Sequence, residues 1–182
     1  AEMALAKSTK QVADLVGAKP SQVYFTSGAT ESLHWVITGW VRKNKKAKVL
    51  TTSVEHKATY GACDFAKELG AEVKILGVDN YGRINLEELE KELAEDRPTL
   101  LSLIYANNEI GIINPVSEIC ALKNKYPHFQ VHADGAQAVG KIPVNFAELN
   151  LDYLSFSGHK IYAPKGIGVL MMAEAESLVP LF

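Results

Sequence analysis

The segment Ser155-Phe156-Ser157-Gly158-His159-Lys160-Ile161-Tyr162 sets a lysine directly behind the apolar-rich run Tyr153–Phe156. Taking an ammonium out of water is costly unless it is paired or neutralised. A lysine in such a protected setting at the end of a strand is a candidate nucleophile, because the deprotonated amine attacks carbonyl carbon. Four further segments carry groups able to do chemistry. Thr26-Ser27-Gly28-Ala29-Thr30-Glu31 opens a helix with small and hydroxyl residues, which suits either an anion at the free amides or plain capping by Ser27 or Thr30. It lacks both GxxxxGK[ST] and GxGxxG, so a nucleotide loop is not indicated. Ser53-Val54-Glu55-His56-Lys57 puts His56 at a strand-to-helix junction, as a cap or as a ligand. Asn107-Asn108-Glu109-Ile110-Gly111 offers turn formers or polar contacts. His132-Ala133-Asp134-Gly135-Ala136-Gln137 ends an apolar strand on Asp134, which needs a helix to cap or a cationic partner.

All five segments follow predicted strands. Helical periodicity covers 2–16, 31–43, 57–69, 86–95 and 115–126, with Asn85 and Glu88 forming a capping box ahead of the fourth. Strand patterns cover 22–26, 47–51, 72–78, 99–105, 129–132, 153–156 and 168–172. Such alternation predicts an α/β fold of three layers, α/β/α, with a mostly parallel sheet. Ligands of these sheets bind outside the carboxyl ends of the strands. An anion-binding turn, a histidine, an asparagine, an Asp-x-x-Gln and a lysine therefore share one end of one sheet. That set meets the needs of pyridoxal 5'-phosphate (PLP): amides and hydroxyls for the phosphate, an amine for the aldehyde, and a carboxylate to keep the pyridine nitrogen protonated.

The bulk properties exclude other classes. The chain has 182 residues, 47% hydrophobic and 22% charged, with a formal net charge of −2. This gives no footprint for nucleic acid or a polybasic membrane surface. The basic run Arg42-Lys43-Asn44-Lys45-Lys46 reads as a solvated helix end. Cys63 and Cys120 fall in predicted helices without a CxxC or a Cys/His cluster, so neither a disulfide nor a metal site is expected. No apolar run reaches the ~20 residues of a membrane span. The first residue is not Met and the last residues are apolar, which reads as part of a longer protein.

The stretches FTSGATES, SVEHKA, NNEIG, HADGAQAVGK and SFSGHKIYAPKGIG resemble the class V aminotransferase family of fold type I PLP enzymes, and within it the NifS/IscS-like cysteine desulfurases. They run through residues 25–168 in the family's order. The resemblance implies that residues 1–182 are the PLP-binding large domain, with the small C-terminal domain outside the chain. It implies that Lys160 carries the cofactor as a Schiff base, Asp134 pairs with the pyridine nitrogen, and Gln137 bonds the phenolic oxygen. His56 would stack on the ring and assist proton transfer. Ala29 (through its backbone), Thr30, Ser157 and His159 would hold the phosphate. Asn108 would sit near the cofactor and the substrate carboxylate.

The implied reaction converts L-cysteine to L-alanine and passes sulfur to a protein persulfide, for iron–sulfur cluster assembly or other sulfur transfer. A homodimer, sulfur-acceptor proteins and a cytoplasmic or organelle-matrix location come with it. Selenocysteine lyase, cysteine sulfinate desulfinase, a true aminotransferase and a non-catalytic module share the same motifs and stay open. The family's persulfide cysteine and substrate-binding arginine lie downstream of the lysine, so this chain alone is expected to be inactive. Two departures stand out. Gly135 replaces a usual alanine, and Leu33-His34 replaces a usual polar pair, with an expected effect on packing rather than on the phosphate.

Overall fold

The computed structural model describes residues 1–181. The elements are α1 (Glu2–Leu15), β1 (Val23–Thr26), α2 (Ala29–Lys43), β2 (Lys48–Thr52), α3 (Lys57–Glu68), β3 (Glu72–Leu76) and α4 (Leu86–Leu93). They continue with β4 (Thr99–Ile104), the short pair β5 (Ala106–Asn107) and β6 (Ile112–Ile113), α5 (Val116–Ala121), β7 (Phe129–Asp134), β8 (Tyr153–Ser157) and β9 (Gly168–Met172). A 3-10 turn over Gly158–Ile161 follows β8.

Seven strands form one sheet in the order β1-β9-β8-β7-β4-β2-β3. β3, β2, β4, β7 and β8 run parallel, while β9 and β1 are antiparallel to their neighbours. The central strands β2, β4, β8 and β9 are buried at every position. That is why β4 and β9 read as near-continuous apolar runs rather than alternating ones, while β2 and β8 also bury polar side chains. Helices α2 and α3 cover one face, packing Leu33, Val36, Ile37, Trp40, Ala62 and Ala66 against Val49, Leu100, Tyr153 and Leu170. The opposite face buries Leu50, Leu101, Leu103, Val131, Ala133 and Leu154 under Leu89 and Leu93 of α4, Val116 and Ile119 of α5, and Phe146. This is the predicted α/β/α arrangement.

Several boundaries move for local reasons. α2 begins at Ala29 rather than residue 31, because the Glu31 carboxylate accepts the Ser27 amide at 2.7 Å and closes the turn ahead of the helix. β3 ends at Leu76, and Val78 instead bridges Ile84. The predicted helix over 115–126 breaks at Ala121 into a 3-10 turn over Leu122–Asn124. β7 extends two residues beyond expectation, so Asp134 is itself its last residue. Asn85 caps α4 by accepting the Glu88 amide at 3.1 Å. The Glu88 side chain turns away, however, to the Gly77 amide at 2.8 Å, so the capping box is not closed.

Candidate active site

A cavity of about 330 Å³ opens at the carboxyl ends of β4, β7 and β8, against the start of α2. It is lined by all nine residues singled out from the sequence: Ala29, Thr30, His56, Asn108, Asp134, Gln137, Ser157, His159 and Lys160. Leu33, Ala58, Ile104, Glu109 and Ala136 also line it, and nothing in their residue types announced them. Leu33 thus reaches the cavity as well as the core, being 1% exposed.

Neither Ser27 nor Thr30 caps α2. Its N-cap is Gly28, without a side-chain cap of its own, and the Ser27 hydroxyl bonds the Glu31 carboxylate. The cap comes from the far end of the chain, where Ser157 Oγ accepts the Ala29 N–H at 2.8 Å. The Ala29 amide, expected to help hold a phosphate, donates here to Ser157. The amides of Thr30 and Glu31 have no partner among the described residues, and with the Ser157 hydroxyl proton they are the donors that remain. Gly168 of β9 runs against this turn so closely that a Cβ there would lie 2.4 Å from the Gly28 backbone. Glycine at 168 is a condition for holding the turn in place.

Asp134 is 6% exposed. One carboxylate oxygen accepts the Ala136 N–H at 2.9 Å, and the carboxylate lines the cavity with no other hydrogen bond among the described residues. Burial pushes its carboxyl above the usual range, opposed by the Ala136 amide and by the charge of His56. Such a group favours a cation against it. His56 does two things at once: its Nδ1 accepts the Ala58 N–H at 3.2 Å as the cap of α3, and its ring lines the cavity. With Nδ1 an acceptor, the ring proton of the neutral form sits on Nε2. Gln137 accepts from Lys141 Nζ through Oε1, which leaves its amide NH₂ as the available donor.

The Asn pair divides its labour. Asn107 is buried, donates to the Val54 carbonyl at 2.8 Å and accepts the Glu109 amide at 2.8 Å, so it ties this loop to the histidine loop. Asn108 is exposed at the cavity.

The setting of Lys160 is a correction. It lies on the 3-10 turn over Gly158–Ile161 beside the cavity mouth and is exposed, as is His159. The strand before it is buried, but the chain leaves the sheet at Gly158. The buried lysine is Lys48, at 0% exposure near the opposite end of the sheet, held by Glu95 at 2.9 Å and Glu92 at 3.3 Å.

Cys63 and Cys120 are both buried, and burial pushes both thiols up to about 12. Neither is a nucleophile at neutral pH. Among the described residues no group of three or more His, Cys, Asp or Glu side chains is placed to hold a metal ion.

These donors fit PLP. A buried carboxylate with spare acceptor capacity suits a protonated ring nitrogen, free amides and hydroxyls at a helix start suit a phosphate, and a lysine amine stands at the mouth. The comparisons agree. The family model for aminotransferase class-V matches residues 1–181, so the chain belongs to that family of PLP-dependent enzymes. The mitochondrial cysteine desulfurase of Eremothecium gossypii is 45% identical over 166 residues, covering 90% of this chain and 34% of that protein. A solved NifS-like protein superposes with a TM-score of 0.93 at 38% identity, over 100% of this chain and 50% of its own. SspA, solved in complex with cysteine, superposes with a TM-score of 0.90 at 34% identity, over 98% of this chain and 52% of its own. The chain thus spans between a third and about half of the length of these relatives.

Proposed function

We propose that residues 1–182 form the cofactor-binding large domain of a PLP-dependent cysteine desulfurase. The whole protein would convert L-cysteine to L-alanine and leave the sulfur as a persulfide on a cysteine thiol, for iron–sulfur cluster assembly or other sulfur transfer. The observation that carries this reading is the pairing, in one cavity, of a buried, singly bonded carboxylate on Asp134 with the amine of Lys160. The desulfurase relative and the cysteine bound by SspA support the choice of substrate.

PLP, when bound, supplies an aldehyde carbon for amines and a ring that withdraws electrons from the substrate's α-carbon. Asp134 holds a proton on the ring nitrogen. Ser157, Thr30, His159 and the start of α2 bind the phosphate, and the Gln137 NH₂ donates to the phenolic oxygen. His56, which lines the cavity, would offer the proton on its Nε2 for transfer. The Lys160 amine would hold the cofactor through its aldehyde and, when free, could take and return the substrate's α-proton. Asn108 orients the substrate carboxylate. A thiolate then forms an S–S bond to the substrate sulfur as the C–S bond breaks, and the β-carbon gains a proton to give alanine. Since both thiols of this chain are buried and protonated, we infer that the attacking cysteine lies outside these residues, and that this chain alone yields no alanine.

We further propose a homodimer, with sulfur-acceptor proteins as partners. Exposed apolar side chains near the cavity, among them Ile110, Tyr162 and Ile167, support the dimer. No helix among the described residues is long and apolar enough to cross a membrane. A cytoplasmic or organelle-matrix location is proposed from the mitochondrial relative.

The test is capture of the cofactor. PLP added to the chain should give a visible band that borohydride converts to a stable bond on Lys160, found by peptide mapping. A Lys160→Ala chain that binds and absorbs like the original would sink the assignment.

A further inference from the structure

Directly beneath the cavity lies an acid that the reaction outlined above does not use. Glu55, the residue before His56, is 9% exposed. Its Oε1 meets the Thr52 hydroxyl at 2.5 Å, while its Oε2 is buried with no hydrogen-bond partner. The loop that carries it is pinned. The Glu55 amide donates to the Tyr60 hydroxyl at 3.1 Å, and that hydroxyl donates to the Thr52 carbonyl at 3.1 Å. Thr59, one turn further on, is also fully buried, with Oγ1 lacking a partner. The titratable groups around Glu55 are Asp134 from β7, Tyr60 and Cys63 from α3, and the adjoining His56. No cation is paired with it in a salt bridge among the described residues.

An ionised carboxylate in this position would leave an uncompensated buried charge beside a second carboxylate, which is the arrangement least tolerated in a protein interior. We propose that Glu55 is a protonated acid at neutral pH, a positioning residue that leaves Asp134 as the one anion at the base of the cavity. That role toward the cofactor's ring nitrogen rests on the PLP reading above; the protonation of Glu55 does not.

The electrostatics of the pair agree with the geometry. Burial pushes the Glu55 carboxyl up to about 8, with the Thr52 bond and a weaker interaction with the Ile104 backbone opposing, and the charge of Asp134 adding to the rise. Asp134, itself raised by burial, has the Ala136 amide and the charge of His56 to support its ionised form. Glu55 has no such cation among the described residues, and the charge of Asp134 favours keeping the proton on it. When a cation pairs with Asp134 that field is cancelled, and Glu55 should release its proton at lower pH.

The experiment is infrared difference spectroscopy of the full chain against Glu55→Gln, titrated from pH 5 to 10 as suggested by the ordinary carboxyl range and the value above. A protonated-carboxyl band specific to Glu55 should be present at neutral pH and vanish with a midpoint near 8. Asp134→Asn should move that midpoint to lower pH, and so should loading with PLP. In the loaded chain, a step in the visible spectrum that tracks Glu55 should be lost in Glu55→Gln. Absence of the band at neutral pH overturns the protonation. A midpoint unmoved both by Asp134→Asn and by captured PLP overturns the coupling. If borohydride traps no PLP on Lys160, the cofactor reading fails, while the band and its shift in Asp134→Asn still decide the state of Glu55.

Discussion

The Ser157 hydroxyl at the end of β8 accepts the N–H of Ala29 at the start of α2, 2.8 Å away and 128 residues apart in sequence. A strand end thus caps the helix whose remaining amides face the cavity. Ser157→Ala should lower the stability of the PLP-free chain by about 1 kcal/mol, the typical cost of a lost cap. PLP affinity should fall by about tenfold, the worth of one hydrogen bond to a charged group. The two effects are linked. Because PLP then binds the folded variant less tightly, the stability deficit seen by chemical denaturation should widen by about 1.4 kcal/mol at saturating PLP. A deficit unchanged by PLP would mean the phosphate does not sit at this turn.

The buried Lys48 has a different task. At 0% exposure, with Glu92 and Glu95 as partners and the Glu92 carbonyl at 3.1 Å, it is a structural ion pair remote from the cavity. Lys48→Ala should cost about 2–5 kcal/mol, because it empties a fully buried site and leaves Glu92 with Lys74 alone as its cation. Lys48→Met, which fills the same volume, should cost less, and neither should alter PLP capture by the folded fraction. The pH dependence is defined. Burial raises the Glu92 carboxyl, but the bonds from Lys74 and Lys48 outweigh it and hold the group below its ordinary 4.5. This contribution is present above pH 4.5 and lost as pH falls through the lowered value. The difference in stability between wild type and Lys48→Met should therefore narrow in acid.

The two lysines show what was legible in the sequence. The apolar run before Lys160 suggested a buried lysine, yet the chain leaves the sheet at Gly158 and exposes it. Lys48 opens a strand behind a basic run and carried no sign of burial. Its partners Glu92 and Glu95 come from the end of α4 and beyond it, a juxtaposition set by packing. Order, layers and the cavity residues were readable because strand ends in a parallel sheet must face one way. The cap from Ser157, the burial of Glu55 and the antiparallel placement of β1 and β9 were not, because each depends on partners far away in sequence.

Gly135 illustrates how a single methyl is decided by a neighbour. A Cβ at this position would lie 2.7 Å from Leu154 Cδ1 and 3.2 Å from Val139 Cγ2. Leu154 is fully buried and has little room to withdraw. Gly135→Ala should therefore destabilise by about 1–3 kcal/mol through overpacking. Paired with Leu154→Val, it should cost less than the sum of the two single changes, by about 0.5 kcal/mol or more in a double-mutant cycle followed by urea denaturation. Strict additivity would show that Leu154 is not the obstacle.

His132 and Glu55 should together give the PLP-free chain an uneven pH profile. His132 lies between Ser102 Oγ at 2.8 Å and Ser155 Oγ at 2.9 Å, and complete burial pushes its imidazole down to about 3. Below its ordinary 6.5 the unfolded chain takes up a proton that the folded chain refuses, so this term weakens the fold as pH falls from 6.5 to about 3. Glu55 acts in the opposite sense. Its raised value means the folded chain keeps a proton that the unfolded chain loses. That contribution is complete below 4.5 and disappears as pH rises to about 8. Each site has a limiting slope of about 1.4 kcal/mol per pH unit. From pH 8 to 6.5 Glu55 acts without His132, and stability should rise on acidification. From 6.5 to 4.5 the two largely cancel, and below 4.5 His132 and the weakening Lys48–Glu92 pair bring stability down. Urea denaturation across this range should show the rise vanish in Glu55→Gln and the plateau become a continued rise in His132→Asn. Identical profiles for all three chains would contradict both assignments.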